Sequence, residues 1–172
     1  GCGSGSHSLY MQNNRSLAVT GLDISEGAIS VAKSRGVKET VCSSIMDYTN
    51  EKYDTLLLLM NGLGVAKTLK GVYPLLIHLK CLMNPKAQIL LDSSNLIYLF
   101  DEEDRESWLN DERYFGEVDY GIGFQGSTEE FPWLYLDYEN LNELAQLAGF
   151  NCQKLMEGEN EDYLARLVLM ES

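Results

Sequence analysis

The stretch that most constrains this chain is Gly1-Cys2-Gly3-Ser4-Gly5-Ser6-His7, together with the acid that answers it, Asp23. Glycines at alternate positions leave room for close approach to the backbone, because no Cβ stands in the way. Ser8 to Gln12 follows and reads as a short helix, whose free N–H groups would point back at whatever the loop holds. Leu17 to Ile24 is then an apolar run carrying Asp23 near its end, about where a nucleotide-binding sheet places the carboxylate for a ribose diol. An acceptor-only carboxylate suits two vicinal hydroxyls. The plainer role for Asp23 is to cap the next helix. A glycine loop alone is weak evidence; loop, helix, strand and acid in that order are far more restrictive.

The next segments keep an alternating rhythm. Ser25 is placed to cap a helix that carries Ala28, Ile29, Val31 and Ala32 and closes at Gly36. A short strand, Glu39 to Cys42, leads into a polar loop containing Ser43, Ser44, Asp47 and Asn50. Tyr53 to Met60 is a continuous apolar run ending at Asn61-Gly62, a pattern expected of a parallel strand buried on both faces. Leucines and valine at spacings of three and four predict a helix from about Thr68 to Met83, stopped by Asn84-Pro85. Gln88 to Asp92 is the next buried strand. Strands separated by helices point to right-handed βαβ units on one parallel sheet.

After Asp92 the rhythm breaks. An acidic run, Asp101-Glu102-Glu103-Asp104, reads first as solvated surface, and Tyr114 to Phe124 alternates with glycines as a twisted or bulged antiparallel pair would. Tyr98, Tyr114, Tyr120, Trp133 and Tyr135 gather here, as the wall of a pocket, the core of a small lid or a contact in a homodimer. Regular architecture then resumes. Asp137 caps a helix that ends at Gly149, and Cys152–Met156 and Tyr163–Leu169 form two strands joined by an acidic turn.

These residues resemble the class I S-adenosylmethionine (SAM)-dependent methyltransferases, in particular the small-molecule branch. Gly1, Gly3 and Gly5 match that family's G-x-G-x-G loop, whereas Ser6 occupies the third glycine of the dinucleotide fingerprint. Thr20-Gly21-Leu22-Asp23-Ile24-Ser25 and the terminal hairpin extend the match through nearly the whole chain. The resemblance implies an α/β, Rossmann-like, mostly parallel sheet with a C-terminal antiparallel hairpin. It implies one domain over 1–172 with an insertion after the family's fifth strand, residues 93–132, acting as a substrate lid. In the family a first strand feeds the glycine loop, so these 172 residues are expected to be a fragment of a longer chain.

The resemblance also implies a cofactor, SAM, and residues for it. Gly1, Cys2, Gly3 and Gly5 would form the loop, Asp23 would hold the ribose, and Ile24 would lie against adenine. Ser44 stands where the family has an acid for the adenine amino group, followed by Ile45. Met60, Asn61 and Gly62 fall at the motif that touches the methionine portion. His7 and Asn61 are the acid–base or orienting candidates, although Asn61 cannot be a base at neutral pH and Asn-Gly is also a common turn pair. Lys86-Ala87 replaces a family Gly-Gly turn. Tyr98, Tyr120, Trp133 and Tyr135 would bind the acceptor, a small molecule. The rival roles are a SAM-binding protein without catalysis and an NAD(P)-dependent oxidoreductase.

Composition narrows the partners. A net charge of −13 argues against nucleic acid, since no basic patch exists to neutralise phosphates. No apolar run of about 18 residues suggests a membrane span. Four scattered cysteines and two histidines argue against a metal centre, and the cysteines read as small apolar residues of a reduced, cytoplasmic protein.

Overall fold

The computed structural model describes residues 1–99, 113–159 and 161–170. It divides into two compact units, Gly1–Asn50 and Glu51–Ser172. In the first, α1 (Ser6–Asn14), β1 (Thr20–Asp23), α2 (Glu26–Ser34) and β2 (Glu39–Cys42) follow the glycine loop. β1 and β2 pair in parallel, from Thr20 opposite Glu39 to Asp23 opposite Cys42. Ser25 starts α2 by accepting the Ala28 N–H at 3.2 Å, with Glu26 in the first turn and Lys33 in the last, each favourable to the helix dipole. Gly36, at φ +98°, ends it in the left-handed conformation that a glycine adopts without strain. Ile29, Ala32 and Val37 are buried beneath the helix.

In the second unit β3 (Tyr53–Leu58) leads through a 3₁₀ turn, Gly62–Ala66, to α3 (Leu69–Cys81) and β4 (Met83–Ser94). A 3₁₀ turn at Ile97–Leu99 and a hairpin, β5 (Glu117–Phe124) and β6 (Ser127–Leu134), precede α4 (Tyr138–Leu147), β7 (Phe150–Glu157) and β8 (Asp162–Leu169). The main sheet has the order β3-β4-β8-β7. β3 and β4 are parallel, and β8 runs antiparallel to both β4 and β7. The terminal hairpin expected from sequence therefore places its last strand between β4 and β7.

Val72, Leu75, Leu76 and Leu79 of α3, Leu141 and Ala145 of α4, and Ile89, Leu91, Phe150, Ala165 and Leu167 of the sheet form the core of this unit. The helix ends are closed by side chains. Thr68 Oγ1 accepts the Gly71 N–H at 3.1 Å and Glu117, from β5, accepts the Leu69 N–H at 2.8 Å, so two donors that helix geometry leaves open at the start of α3 are satisfied. Asp137 accepts the Asn140 N–H at 2.9 Å and caps α4, whose other end receives Lys80 Nζ on the Ala148 carbonyl at 3.2 Å.

Several details differ from the sequence reading. The parallel ladder falls into two hydrogen-bonded pairs, β1–β2 and β3–β4, and the hairpin forms a sheet of its own. β3 is not buried on both faces: Leu57 is 38% exposed, because among the described residues β3 pairs only with β4. It also stops at Leu58, because Met60 (φ +59°) and Asn61 (φ +55°) turn left-handed. α3 ends at Cys81, before Asn84-Pro85, which lie in β4. There Lys86 takes φ +67°, and the pairing with β3 slips from Tyr53–Met83 to Thr55–Gln88. The antiparallel pair is present but carries no bulge; Gln125 and Gly126, at φ +48° and +84°, make the primed turn that suits strand twist. Cys42 and Cys81 are exposed rather than small core residues. The acidic run 101–104 lies outside the described residues.

Candidate functional site

In the first unit the glycine loop is held by backbone bonds. Cys2 donates its N–H to Leu22 O of β1 at 2.7 Å, and Gly5 donates to Cys2 O at 2.9 Å. Gly5 stands at φ +80° ahead of α1, and a Cβ there would lie 2.6 Å from Val37 Cγ2. The requirement for glycine is therefore both conformational and steric. Asp23, at the carboxyl end of β1, accepts the Gly3 N–H on Oδ2 at 2.8 Å and the Ser25 N–H on Oδ1 at 2.9 Å. A Cβ on Gly1 would come within 2.8 Å of that same Oδ2, so the loop backbone lies directly against the carboxylate. Ser25, not Asp23, caps α2, which removes the plainer role considered for Asp23.

The surroundings of this carboxylate suit a flat ligand with hydroxyls. Ile24, the next residue, is 75% exposed, and the start of α1 has no side-chain cap, leaving its first N–H groups open. Gly3 has nothing within 4 Å of where a Cβ would stand. Burial, and then the neighbouring Asp23 carboxylate, push the Cys2 thiol up, so it stays protonated at neutral pH. Arg35 braces the loop from the end of α2, donating to Ser4 O and Ser4 Oγ at 2.8 Å each and to Ser6 Oγ at 3.2 Å. Sequence reading missed it, because 31 residues separate the partners and nothing local marks the pair. Ser44 is spent locally: its Oγ accepts the Met46 N–H at 3.2 Å and caps the 3₁₀ turn Ile45–Asp47. Ile45 is half-buried, and His7 stands exposed on the first turn of α1.

In the second unit Asn61 is a junction. Its Nδ2 donates to Leu134 O at 3.1 Å, its Oδ1 accepts from Ser93 Oγ at 2.7 Å, and its N–H reaches Asp92 Oδ2 at 3.3 Å. Ser93 Oγ in turn accepts the Leu136 N–H at 2.9 Å. One amide thus ties together the ends of β3, β4 and β6. Met60 beside it is 80% exposed, and Gly62 packs where a Cβ would lie 3.1 Å from Leu58 Cβ. The amide that was a catalytic candidate from sequence is turned onto the protein's own groups.

The aromatic residues gather on one face of the hairpin. Tyr120 stacks on Phe131 (centroids 6.0 Å, 11°) and on Tyr135 (6.5 Å, 21°), and their hydroxyls are 2.8 Å apart. Phe131 meets Trp133 edge-on at 5.9 Å, and the indole covers Gly64 so closely that a Cβ there would overlap it. Burial, the bond to Tyr120, and the nearby charges of Tyr120 and Tyr98 push the Tyr135 hydroxyl up to about 12. Phe131 was not singled out from sequence, though its alternation with Trp133 and Tyr135 is the period-two signal of one strand face. Tyr114 is not on this wall. Its hydroxyl donates to Asp137, beside the α4 cap. A cavity of about 170 Å³ elsewhere in this unit, lined by Asp92, Glu157, Asp162 and Tyr163 among others, includes none of the predicted site residues.

A family model described as a methyltransferase domain matches residues 1–65. No curated protein matches the chain. Among solved structures, a SAM-dependent methyltransferase from Bacteroides fragilis, in complex with S-adenosyl-L-homocysteine, is 36% identical to this chain. It covers 99% of this chain and 70% of its own length is matched, with a TM-score of 0.89. The chain belongs to the SAM-dependent methyltransferases. Methyltransferases from Methanosarcina mazei (20% identity, 99% and 91% of the two chains, TM-score 0.69) and Clostridium acetobutylicum (13%, 99% and 82%, 0.71) share the fold. Membership decides against the nicotinamide reading, and makes SAM the cofactor of this methyltransferase. The loop fits that group: its backbone lies against a carboxylate already fixed by two N–H bonds, with an exposed apolar side chain next to it. Among the described residues no helix is long and apolar enough to cross a membrane, and no group of His, Cys, Asp or Glu could hold a metal ion.

Proposed function

We propose that this methyltransferase carries the methyl group of SAM to a small-molecule acceptor, as an EC 2.1.1-type enzyme of the cytoplasm that acts on neither nucleic acid nor membrane. The observation that carries the cofactor assignment is the Asp23 carboxylate, fixed between the Gly3 and Ser25 N–H groups with the Gly1 backbone against it. Each carboxylate oxygen keeps a lone pair beyond its backbone bond, which suits acceptance from the two ribose hydroxyls. Ile24 is assigned to one face of adenine, and Gly1, Cys2, Gly3 and Gly5 to the loop over the cofactor. Ile45 takes the ring edge. Ser44 meets the amino group with its remaining lone pair, a weaker contact than an acid would make. Met60, Asn61 and Gly62 are assigned to the methionine portion by their resemblance to the family motif.

Bound SAM supplies a methyl group already activated on a sulfonium, so the protein's share of the work is positioning and exclusion of water. The family has no acid–base residue common to all acceptors, and neither His7, exposed on α1, nor Asn61, spent internally, is given that role. Residues 93–132 are assigned to acceptor selection as a lid, with Tyr98, Tyr120, Trp133 and Tyr135 as the acceptor wall. The bonded hydroxyl pair of Tyr120 and Tyr135 favours that reading over a homodimer contact, since it presents a polar tip within an aromatic face. The net charge of −13 supports the exclusion of nucleic acid.

Calorimetric titration with SAM and S-adenosylhomocysteine, beside an Asp23→Ala variant, tests the cofactor assignment. Micromolar binding that falls at least ~100-fold in the variant is expected, since two charge-assisted hydrogen bonds are worth about 1.5–3 kcal/mol each. Equal binding by the variant would remove Asp23 from the site. Formation of S-adenosylhomocysteine with an acceptor separates an enzyme from a non-catalytic SAM-binding protein, a reading that the spent Ser44 hydroxyl favours.

A further inference from the structure

The glycine loop is a stretch of backbone with little to stiffen it. Cys2 to Gly5 form a turn closed by the Gly5 N–H on Cys2 O at 2.9 Å, with Gly3 at φ +53° and Gly5 at φ +80°. Gly3 has open space where a Cβ would stand, so packing does not hold its path. Glycine also loses more chain freedom on ordering than any other residue. The helix that follows adds little support. α1 is nine residues long with Ser8 as its one buried residue, too short to be stable without tertiary contacts.

The contacts that fix this region are polar and come from the end of α2. Arg35, the C-cap of that helix, donates from Nη1 to Ser4 O and Ser4 Oγ at 2.8 Å each and to Ser6 Oγ at 3.2 Å. Ser4 is the one residue between Gly3 and Gly5. Bonds to its carbonyl and its hydroxyl together set both the peptide plane that leads into Gly5 and the direction of the side chain. Gln12, in the last turn of α1, makes a separate bridge: its Nε2 donates to Gly36 O at 3.0 Å and its Oε1 accepts the Lys38 N–H at 3.1 Å. That bridge holds the far end of the helix. Order in the turn bears on the ligand, because the Gly3 N–H is one of the two donors that fix the Asp23 carboxylate. A loop already in its bound geometry spares the ordering that binding would otherwise have to supply.

We infer that Arg35 is a positioning residue of the cofactor site: acting through Ser4 and Ser6, it keeps the Gly3–Gly5 turn in its binding geometry before the cofactor arrives. This rests on the reading of the loop as the SAM site. It goes beyond that reading by assigning part of the cofactor affinity to a residue 31 positions from the loop, through order rather than contact.

The test titrates S-adenosylhomocysteine calorimetrically into the unaltered protein, Arg35→Ala, Ser4→Ala, the double variant and Gln12→Ala. Thermal melting checks that each folds, and ¹⁵N-glycine spectra follow hydrogen exchange at the Gly3 and Gly5 amides. Arg35→Ala is expected to bind ~3–10-fold more weakly, the ratio that one net hydrogen bond gives. Exchange at Gly3 and Gly5 should be faster in the ligand-free variant by a similar ~3–10-fold. Ser4→Ala cuts the same contact from the loop side and should weaken binding in the same way, which keeps the test valid if Arg35→Ala does not fold. The double variant should lose less than the product of the two single losses, because both remove one shared bond. Gln12→Ala should bind within about twofold of the parent, as a surface change away from the turn does. Unchanged affinity in Arg35→Ala, an equal loss in Gln12→Ala, or fully multiplicative losses at Arg35 and Ser4 would each overturn the inference. Weaker binding with unchanged exchange would overturn it too, since a residue that positions the loop must alter its motion. The two readings stay distinguishable. An unaltered protein that binds neither SAM nor S-adenosylhomocysteine refutes the cofactor reading and this inference with it, whereas equal binding by the unaltered protein and Arg35→Ala refutes only the role of Arg35.

Discussion

Replacing Asn61 separates a structural junction from a catalytic amide. Asn61, Ser93 and Leu134 are 9%, 4% and 0% exposed, so what the amide leaves behind cannot be rescued by bulk water. Asn61→Ala deprives the Ser93 hydroxyl of its acceptor and the Leu134 carbonyl of its donor. Each such buried group costs about 1–3 kcal/mol when left unpaired. Alanine must also hold the φ of +55°, which costs about 1 kcal/mol more than it does for asparagine or glycine. The total is about 3–7 kcal/mol, a large part of the 5–15 kcal/mol that holds a typical domain together. Asn61→Gly loses the same bonds but not the left-handed strain. After its extra chain entropy it should be less damaging than alanine by about 0.5–1 kcal/mol. Urea unfolding, followed by far-UV circular dichroism and tryptophan fluorescence, gives both differences as shifts of the midpoint at constant slope. An alanine variant within 1 kcal/mol of the parent, or a glycine variant less stable than the alanine one, would refute the reasoning. An alanine variant that keeps full stability but loses turnover would return Asn61 to the reacting groups.

Two further predictions concern backbone strain and pH. Lys86 holds φ +67° in β4, so Lys86→Gly should raise stability by about 0.5–1 kcal/mol and the melting temperature by about 1–4 °C. Lys86→Val should lower both, and a glycine variant that melts lower would show that the lysine side chain matters more than its backbone. Tyr135 titrates near 12 in the folded chain against the usual tyrosine value of about 10, so the unfolded chain loses its proton first as pH rises. Its contribution is therefore complete below about pH 10 and lost by about pH 12, with Tyr114 and Tyr163 shifted in the same direction by burial. Denaturation midpoints measured across that window should decline, less steeply in Tyr135→Phe. Identical slopes would show that the Tyr120–Tyr135 pair adds nothing to alkaline stability.

What the sequence revealed follows from which parts of the fold are local. The glycine loop, Asp23, the caps Ser25 and Asp137, β2 and the terminal hairpin depend on residue types that are hard to replace at fixed offsets, and each is where it was expected. The extent of β3 was not legible, because an apolar run does not reveal whether a strand has one neighbour or two, nor that Met60 would turn left-handed. Pro85 reads in sequence as a helix stop, whereas α3 ends at Cys81 and the proline lies in an irregular stretch of β4. Arg35 on Ser4, Glu117 on Leu69 and the Asn61–Ser93 junction join residues about 30 to 50 apart. Only the packed chain brings such pairs together.

The same contrast bears on how the two candidate regions are held. At the glycine loop the bonds to Asp23 come from backbone N–H groups, which almost any side chain at those positions would leave in place; only Gly1 and Gly5 are constrained by what a Cβ would meet. The loop's shape there is set by the path of the chain and by two side chains, Asp23 and Arg35. At the hairpin the polar order runs between side chains, in two separate pairs, Ser93 with Asn61 and Tyr120 with Tyr135. Loss of a single hydroxyl from the tyrosine pair would free the other, at the modest cost of a partly exposed hydrogen bond. On the proposed assignment, cofactor recognition would rest on elements that few substitutions can alter without unfolding the loop. With the hairpin as the proposed acceptor wall, acceptor recognition would rest on an exposed tyrosine pair that the loss of one oxygen atom rewrites, so a change of acceptor would be more accessible than a change of cofactor.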